Sequence, residues 1–141
     1  MKIVLANGCF ELCHYGHRAH LKAAKKLGDM LIVAVTRDRS VNKGPGRPVF
    51  NEEQREAMLR DLRYVSGTML VDDPLEALEI LRPDIWALGE EYKGNVQISH
   101  LSFCERNSIE IAYTKELVYS SSELLGHSME YRETERDETP R

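Results

Sequence analysis

The chain has 141 residues, 42 % hydrophobic and 30 % charged, which is one domain's worth of ordinary globular composition and argues against general disorder. A formal net charge of −4 argues against duplex binding, which needs clustered Lys and Arg, so no nucleic-acid partner is expected. No apolar run approaches the roughly 20 residues of a membrane span, and the start (MKIVLANGCF) is too short in apolar residues for a signal peptide, so the expected setting is cytoplasmic with no membrane partner.

Short apolar runs alternate with helical stretches along the chain. Ile3 to Ala6 reads as a strand. Leu21, Ala24 and Leu27 recur at helical spacing, and Gly28 stands where a left-handed cap would end that helix. Met30 to Val35 is continuously apolar, the mark of a strand covered on both faces. Asn51 is placed to cap a helix whose first turn holds Glu52 and Glu53 and whose inward stripe would be Met58, Leu62 and Val65. Thr68 to Val71 is a third strand. Asp73-Pro74 opens a helix facing Leu75, Leu78 and Leu81 inward, since Pro is tolerated at the first helical position. Ile85 to Leu88, with Trp86 in the core, is strand four. A helix over Ile98 to Glu105, a strand over Ile109 to Tyr113 and a last helix capped by Ser120 with Glu123 complete the pattern.

Strand and helix in strict alternation predict right-handed crossovers: an α/β fold, a single Rossmann-like domain with a five-stranded parallel sheet and helices on both faces. The domain is expected over residues 1–128, with a polar, aperiodic and disordered tail over 129–141 (EYRETERDETPR ends it). Met1 running directly into the first strand is read as the start of a standalone protein.

In such a sheet, ligands bind beyond the carboxyl ends of the strands, where strand order reverses. Strand one runs into Asn7-Gly8-Cys9-Phe10-Glu11-Leu12-Cys13-His14-Tyr15-Gly16-His17. Gly8 and Gly16 would let phosphate oxygens approach the backbone, and the helix start adds unpaired N–H groups and partial positive charge. His14 and His17 could then donate to a phosphoryl group as charge develops on it, the kind of contact whose loss costs roughly 3–4 kcal/mol. The long segment Thr36 to Phe50 carries Arg37, Arg39, Lys43 and Arg47, and beside the histidines that cluster is read as facing phosphate. Gly44-Pro45-Gly46 is not a P-loop, because no Gly-Lys-Ser/Thr follows. His100 and His127 are read as surface or cap residues. A zinc site built from Cys9, Cys13, His14, His17 and His20 is the rival, but one strand-to-helix turn would struggle to aim four side chains at one ion, so no protein metal site is expected. Cys9, Cys13 and Cys104, an odd set, are read as reduced thiols, the first two being small and partly buried.

The segment from Gly8 to His17 resembles the G-x-F-D-x-x-H-x-G-H stretch of the cytidylyltransferase-like nucleotidyltransferases, and His14-Tyr15-Gly16-His17 is similar to the HxGH element they share with class I aminoacyl-tRNA synthetases. The resemblance runs over most of the chain. Gly46-Arg47-Pro48-Val49 with Glu53-Gln54-Arg55, and Arg82-Pro83-Asp84 leading to Leu88-Gly89-Glu90-Glu91-Tyr92-Lys93, look like the nucleotidyltransferase domain of bacterial ADP-heptose synthases. Ser120-Ser121-Ser122 stands where the family has Ser-Thr-Thr. Glycerol-3-phosphate cytidylyltransferases share the plan but carry an Arg shortly before that motif, where this chain has Lys115 to Tyr119. Glu11 replaces the usual Asp.

The resemblance implies a nucleotidyltransferase that joins a nucleoside triphosphate to a phosphorylated sugar or polyol and releases pyrophosphate. Its first expected form is adenylyl transfer of the ADP-heptose-synthase kind. The alternatives are a CTP-using glycerol-3-phosphate type and, from another class, a non-catalytic nucleotide-binding regulatory domain. It implies catalytic roles for His14, His17 and Lys43. Nucleotide contacts would come from Gly8, Cys9, Phe10, Gly16, Arg55, Gly89, Glu91, Tyr92, Ser120, Ser121 and Ser122. It further implies a homodimer. The acceptor phosphate is mostly dianionic at pH 7, its second pKa being about 6, so it needs no general base to attack the α-phosphorus in line. Mg²⁺ would be held mainly by substrate and water.

Overall fold

The computed structural model describes residues 1–11, 15–42, 44–46 and 48–115. Five parallel strands, β1 (Ile3–Gly8), β2 (Met30–Thr36), β3 (Gly67–Val71), β4 (Ile85–Gly89) and β5 (Glu110–Thr114), form one sheet in the order β3-β2-β1-β4-β5. Helices α1 (Tyr15–Lys25), α2 (Glu52–Arg60), α3 (Pro74–Leu81) and α4 (Ile98–Arg106) make the crossovers. Strand order reverses between β1 and β4, the two strands side by side at the centre.

The period-two pattern of β1 divides the interior. Val4 and Ala6 join Leu21 and Ala24 of α1 and Leu59 of α2 on one face. Leu5 joins Ala77 and Leu78 of α3, Trp86 of β4 and Phe103 and Cys104 of α4 on the other. The expected α/β fold, a five-stranded parallel sheet with helices on both faces, is what forms.

Local chemistry explains the element ends. Asn51 caps α2 by accepting from the Gln54 backbone N–H at 2.8 Å while Gln54 accepts from the Asn51 N–H at 3.0 Å, a reciprocal capping box. Asp73 caps α3 by accepting from the Glu76 N–H at 3.0 Å, with Pro74 at the first helical position.

Three expectations are corrected. Gly28 is not a left-handed cap: α1 stops at Lys25, and Gly28 is there because a Cβ would lie 2.7 Å from Val4 Cγ2 and 2.9 Å from the Lys2 carbonyl oxygen. Met58 is 47 % exposed, and α2 instead turns Arg55 and Leu59 inward, with Leu62 following in the next turn. His100 is buried against Trp86, ring centroids 5.9 Å apart and edge to face. The capped helix at Ser120, the tail over 129–141, the domain limit at 128 and His127 lie outside the described residues. No helix among the described residues is long and apolar enough to cross a membrane.

Candidate active site

β1 and β4 end side by side at the reversal of strand order, so the Gly8-Cys9-Phe10 turn and the Gly89–Tyr92 segment face one crevice. Phe10 has φ 50°, a left-handed conformation that bends the chain back, and its ring is buried. A Cβ on Gly8 would meet that ring at 3.1 Å, so any other residue there would press the ring outward by a few tenths of an ångström. The Phe10 ring packs edge-on against His17 in the first turn of α1, centroids 5.2 Å apart. Gly16 is buried beside it and Glu11 is buried at the turn.

From β4, Glu90–Tyr92 forms a 3₁₀ turn. The Glu91 carboxylate folds over the Gly89 Cα, where a Cβ would collide with it. Tyr92 is 52 % exposed. Its hydroxyl is held above the usual tyrosine value by partial burial, then by the negative charge of Glu91 and by Cys9.

Arg55 does not extend toward the crevice. Its side chain has no exposed surface, and its donors go inward: Nε to the Phe50 carbonyl at 3.0 Å, Nη1 to the Cys9 and Thr36 carbonyls at 2.7 and 2.8 Å, and Nη2 to Asp38 at 2.6 Å. A residue expected near phosphates thus ties the backbone of the Gly8–Phe10 turn to α2 and to the end of β2. Thr36 adds a bond to the Gly8 carbonyl at 3.3 Å.

The loop arginines are likewise engaged with protein. Asp72 accepts from Arg39 at 2.9 and 2.7 Å, from the Ser40 hydroxyl at 2.8 Å and from Arg37 at 3.2 Å, while Arg37 also reaches Glu76. The expectation that Arg37 and Arg39 face phosphate gives way to an anchor for the base of the long loop. His14, Cys13, Lys43, Arg47, Ser120, Ser121 and Ser122 lie outside the described residues. Four structural players escaped the sequence: Asp38, Asp72, the Asn7–Trp86 hydrogen bond at 2.7 Å, and the contact of His20 Nδ1 with Thr114 Oγ1 at 2.7 Å. Their partners lie 17 to 94 residues away, beyond the reach of any local pattern.

A parallel sheet with a glycine turn, a histidine in the first turn of the following helix and a crevice at the strand-order reversal defines an α/β protein whose site opens beyond the carboxyl ends of its central strands. The family model of the cytidylyltransferase-like proteins matches residues 5–131, and the chain belongs to that family. It is 44 % identical over 101 residues to the bifunctional protein HldE of Campylobacter jejuni subsp. doylei, covering 69 % of this chain and 22 % of that protein. Against the bifunctional protein HldE of Gluconobacter oxydans it is 47 % identical over 95 residues, covering 64 % and 20 %. The match thus spans about a fifth of the length of these curated relatives. Among solved structures, a lipopolysaccharide core biosynthesis protein from Thermoplasma volcanium GSS1 superposes with a TM-score of 0.72 at 30 % identity, covering 84 % of this chain and 99 % of that one. A protein of unknown function from Archaeoglobus fulgidus, at 19 % identity and a TM-score of 0.61, shares the fold.

Proposed function

We propose that the chain is a nucleotidyltransferase that joins a nucleoside triphosphate to a phosphorylated sugar, adenylyl transfer of the ADP-heptose-synthase kind, releasing pyrophosphate. The observation that carries this is the meeting, at one end of the central strand pair, of the Gly8–Phe10 turn, His17 and the Gly89–Tyr92 segment. Family membership and the relation to HldE support it. The acceptor's phosphate dianion attacks the α-phosphorus in line, so the protein supplies position and positive charge and needs no nucleophile of its own. His17, with His14, donates to the phosphoryl oxygens as charge builds. Backbone N–H groups at the turn and at the start of α1 receive the phosphates. Lys43 and Ser120 to Ser122 complete the charge and hydrogen bonding. Gly89, Glu91 and Tyr92 line the nucleoside or acceptor side.

Mg²⁺ belongs to this proposal as charge neutralisation on the triphosphate. In this proposal the ion is carried by phosphate oxygens and water, and among the described residues no group of three His, Cys, Asp or Glu is placed to hold one. The proposal also includes a cytoplasmic homodimer, to be read from sedimentation of the purified chain.

The test is pyrophosphate release with Mg²⁺, crossing ATP, CTP, GTP and UTP with heptose, hexose and glycerol phosphates. Turnover with ATP and a sugar phosphate is expected. Turnover confined to CTP and glycerol phosphate would transfer the assignment to the polyol branch. Nucleotide binding without turnover across the panel would favour a regulatory domain, and no nucleotide binding would end the proposal.

A further inference from the structure

Asn7 is the next-to-last residue of β1, directly before the Gly8–Phe10 turn. Leu5 lies opposite Trp86 in the β1–β4 register, and Asn7, two residues on, shares the face that Leu5 and Trp86 bury with α3 and α4. Trp86 Nε1 donates to Asn7 Oδ1 at 2.7 Å. An indole N–H can only donate, so this bond settles the orientation of the Asn7 amide: Oδ1 faces Trp86, and the two Nδ2 hydrogens are what the side chain can offer a ligand.

The indole cannot swing away. Trp86 is 2 % exposed, and its ring is wedged edge to face against buried His100 on α4. Leu or Phe would fill this apolar space without a polar atom to satisfy. What the indole adds is one directed donor, spent on the residue that enters the phosphate-binding turn.

We propose that Trp86 is a positioning residue and Asn7 a phosphate contact: the indole fixes the Asn7 amide so that its Nδ2 donors meet the nucleotide's phosphoryl oxygens. This rests on the nucleotidyltransferase reading. Asn7 entering a glycine turn at the strand-order reversal supplies neutral donors beside the N–H groups of the turn, and a fixed rotamer spares the cost of ordering it on binding.

The experiment is a double-mutant cycle on the full chain with Trp86→Phe, Asn7→Ala and the pair, measuring Kd for the nucleotide by calorimetry, kcat, KM and Tm. Trp86→Phe is expected to raise KM for the nucleotide about tenfold with kcat little changed, the scale of one hydrogen bond. Asn7→Ala should lose at least as much, and the pair should match Asn7→Ala alone, because Trp86 acts through Asn7. Independent, multiplying losses, or wild-type kinetics in Trp86→Phe, would overturn the inference. Should Trp86→Phe fail to fold, Asn7→Asp carries the test. Its carboxylate still accepts from the indole, so the emission of the chain's single tryptophan should stay at the wild-type maximum while nucleotide binding weakens more than in Asn7→Ala. Wild-type binding in Asn7→Asp would overturn it. A wild-type chain that binds no nucleotide would remove the underlying function as well, whereas normal binding with unaltered variants would sink this inference alone.

Discussion

Phe10 holds a left-handed φ of 50°, which costs an L-residue about 1–2 kcal/mol, and the fold offsets that by burying its ring between the core and His17. The buried ring in turn gives His17 an aromatic wall at the start of α1. His17→Ala should leave the helix intact, since alanine is the better helix former, and should lower turnover at least about 100-fold. The check is kcat beside a thermal melt; a folded variant with unaltered kcat would remove His17 from the mechanism. Arg55 behaves differently. Arg55→Met would leave three carbonyls and the Asp38 carboxylate without their donor, and should cost about 3 kcal/mol in urea unfolding. Arg55→Lys keeps the charge but not the fork, so it should recover only part of that loss. An unaltered unfolding midpoint in Arg55→Met would show that the guanidinium is not structural. The histidine of the turn was legible because its spacing from glycine is local. The inward path of Arg55 was not, because an arginine beside a phosphate motif is read as a ligand when its partners are distant carbonyls.

At the scale of elements, the same arginine explains a misplaced stripe. The apolar residues Met58, Leu62 and Val65 recur at helical spacing, but the face α2 buries runs through Arg55 and Leu59 to Leu62. Hydrophobic periodicity cannot register an inward arginine, so it takes Met58 for the inward residue in place of Leu59, while Leu62 and Val65 do pack against this core beyond the helix end. Helix caps were easier, because Asn51 and Asp73 bond to groups three residues away. Gly28 was located correctly and explained wrongly. The turn it occupies is clasped to the chain start: the Lys2 carbonyl accepts from the Asp29 and Met30 N–H groups at 2.8 and 3.2 Å, and Asp29 accepts from the Lys2 N–H at 2.7 Å. Gly28→Ala would press a methyl into Val4 and into that carbonyl, neither of which can retreat. A loss of about 2 kcal/mol, read as a lower Tm, is expected. This turn sits at the amino ends of β1 and β2, opposite the crevice, so kcat of the folded variant at low temperature should match wild type. A fall in kcat there would mean that the two ends of the sheet are coupled.

Across the whole molecule, alternation of strand and helix was enough to predict a parallel sheet, because continuous apolar runs such as Met30 to Val35 suit strands covered on both faces. Strand order was not legible from periodicity. It decides that the β1 and β4 exits share a crevice and that the β2 and β3 exits stand beside it. Across those latter two exits, Asp72 gathers Arg37, Arg39 and Ser40 from 32 to 35 residues away and so fixes the base of the long loop. The hydrogen bonds from Arg39 and Ser40 hold the Asp72 carboxyl well below the ordinary carboxylate range. A folded-state value below the unfolded one near 3.9 means that this stabilisation is complete above that pH and drains away as pH falls toward the folded value. Wild-type Tm should therefore drop as pH is lowered through 4 toward 2. Asp72→Asn should have a lower Tm at pH 7 and a shallower acid limb, the two curves converging at low pH. Arg39 is largely exposed, so salt near 1 M should narrow the gap at neutral pH as well. If the anchor also steadies the loop that carries Lys43, the variant's KM for nucleotide should rise while kcat at saturation stays near wild type. Parallel melting curves across the acid range would show that Asp72 titrates alike in both states and that the loop is held by other means.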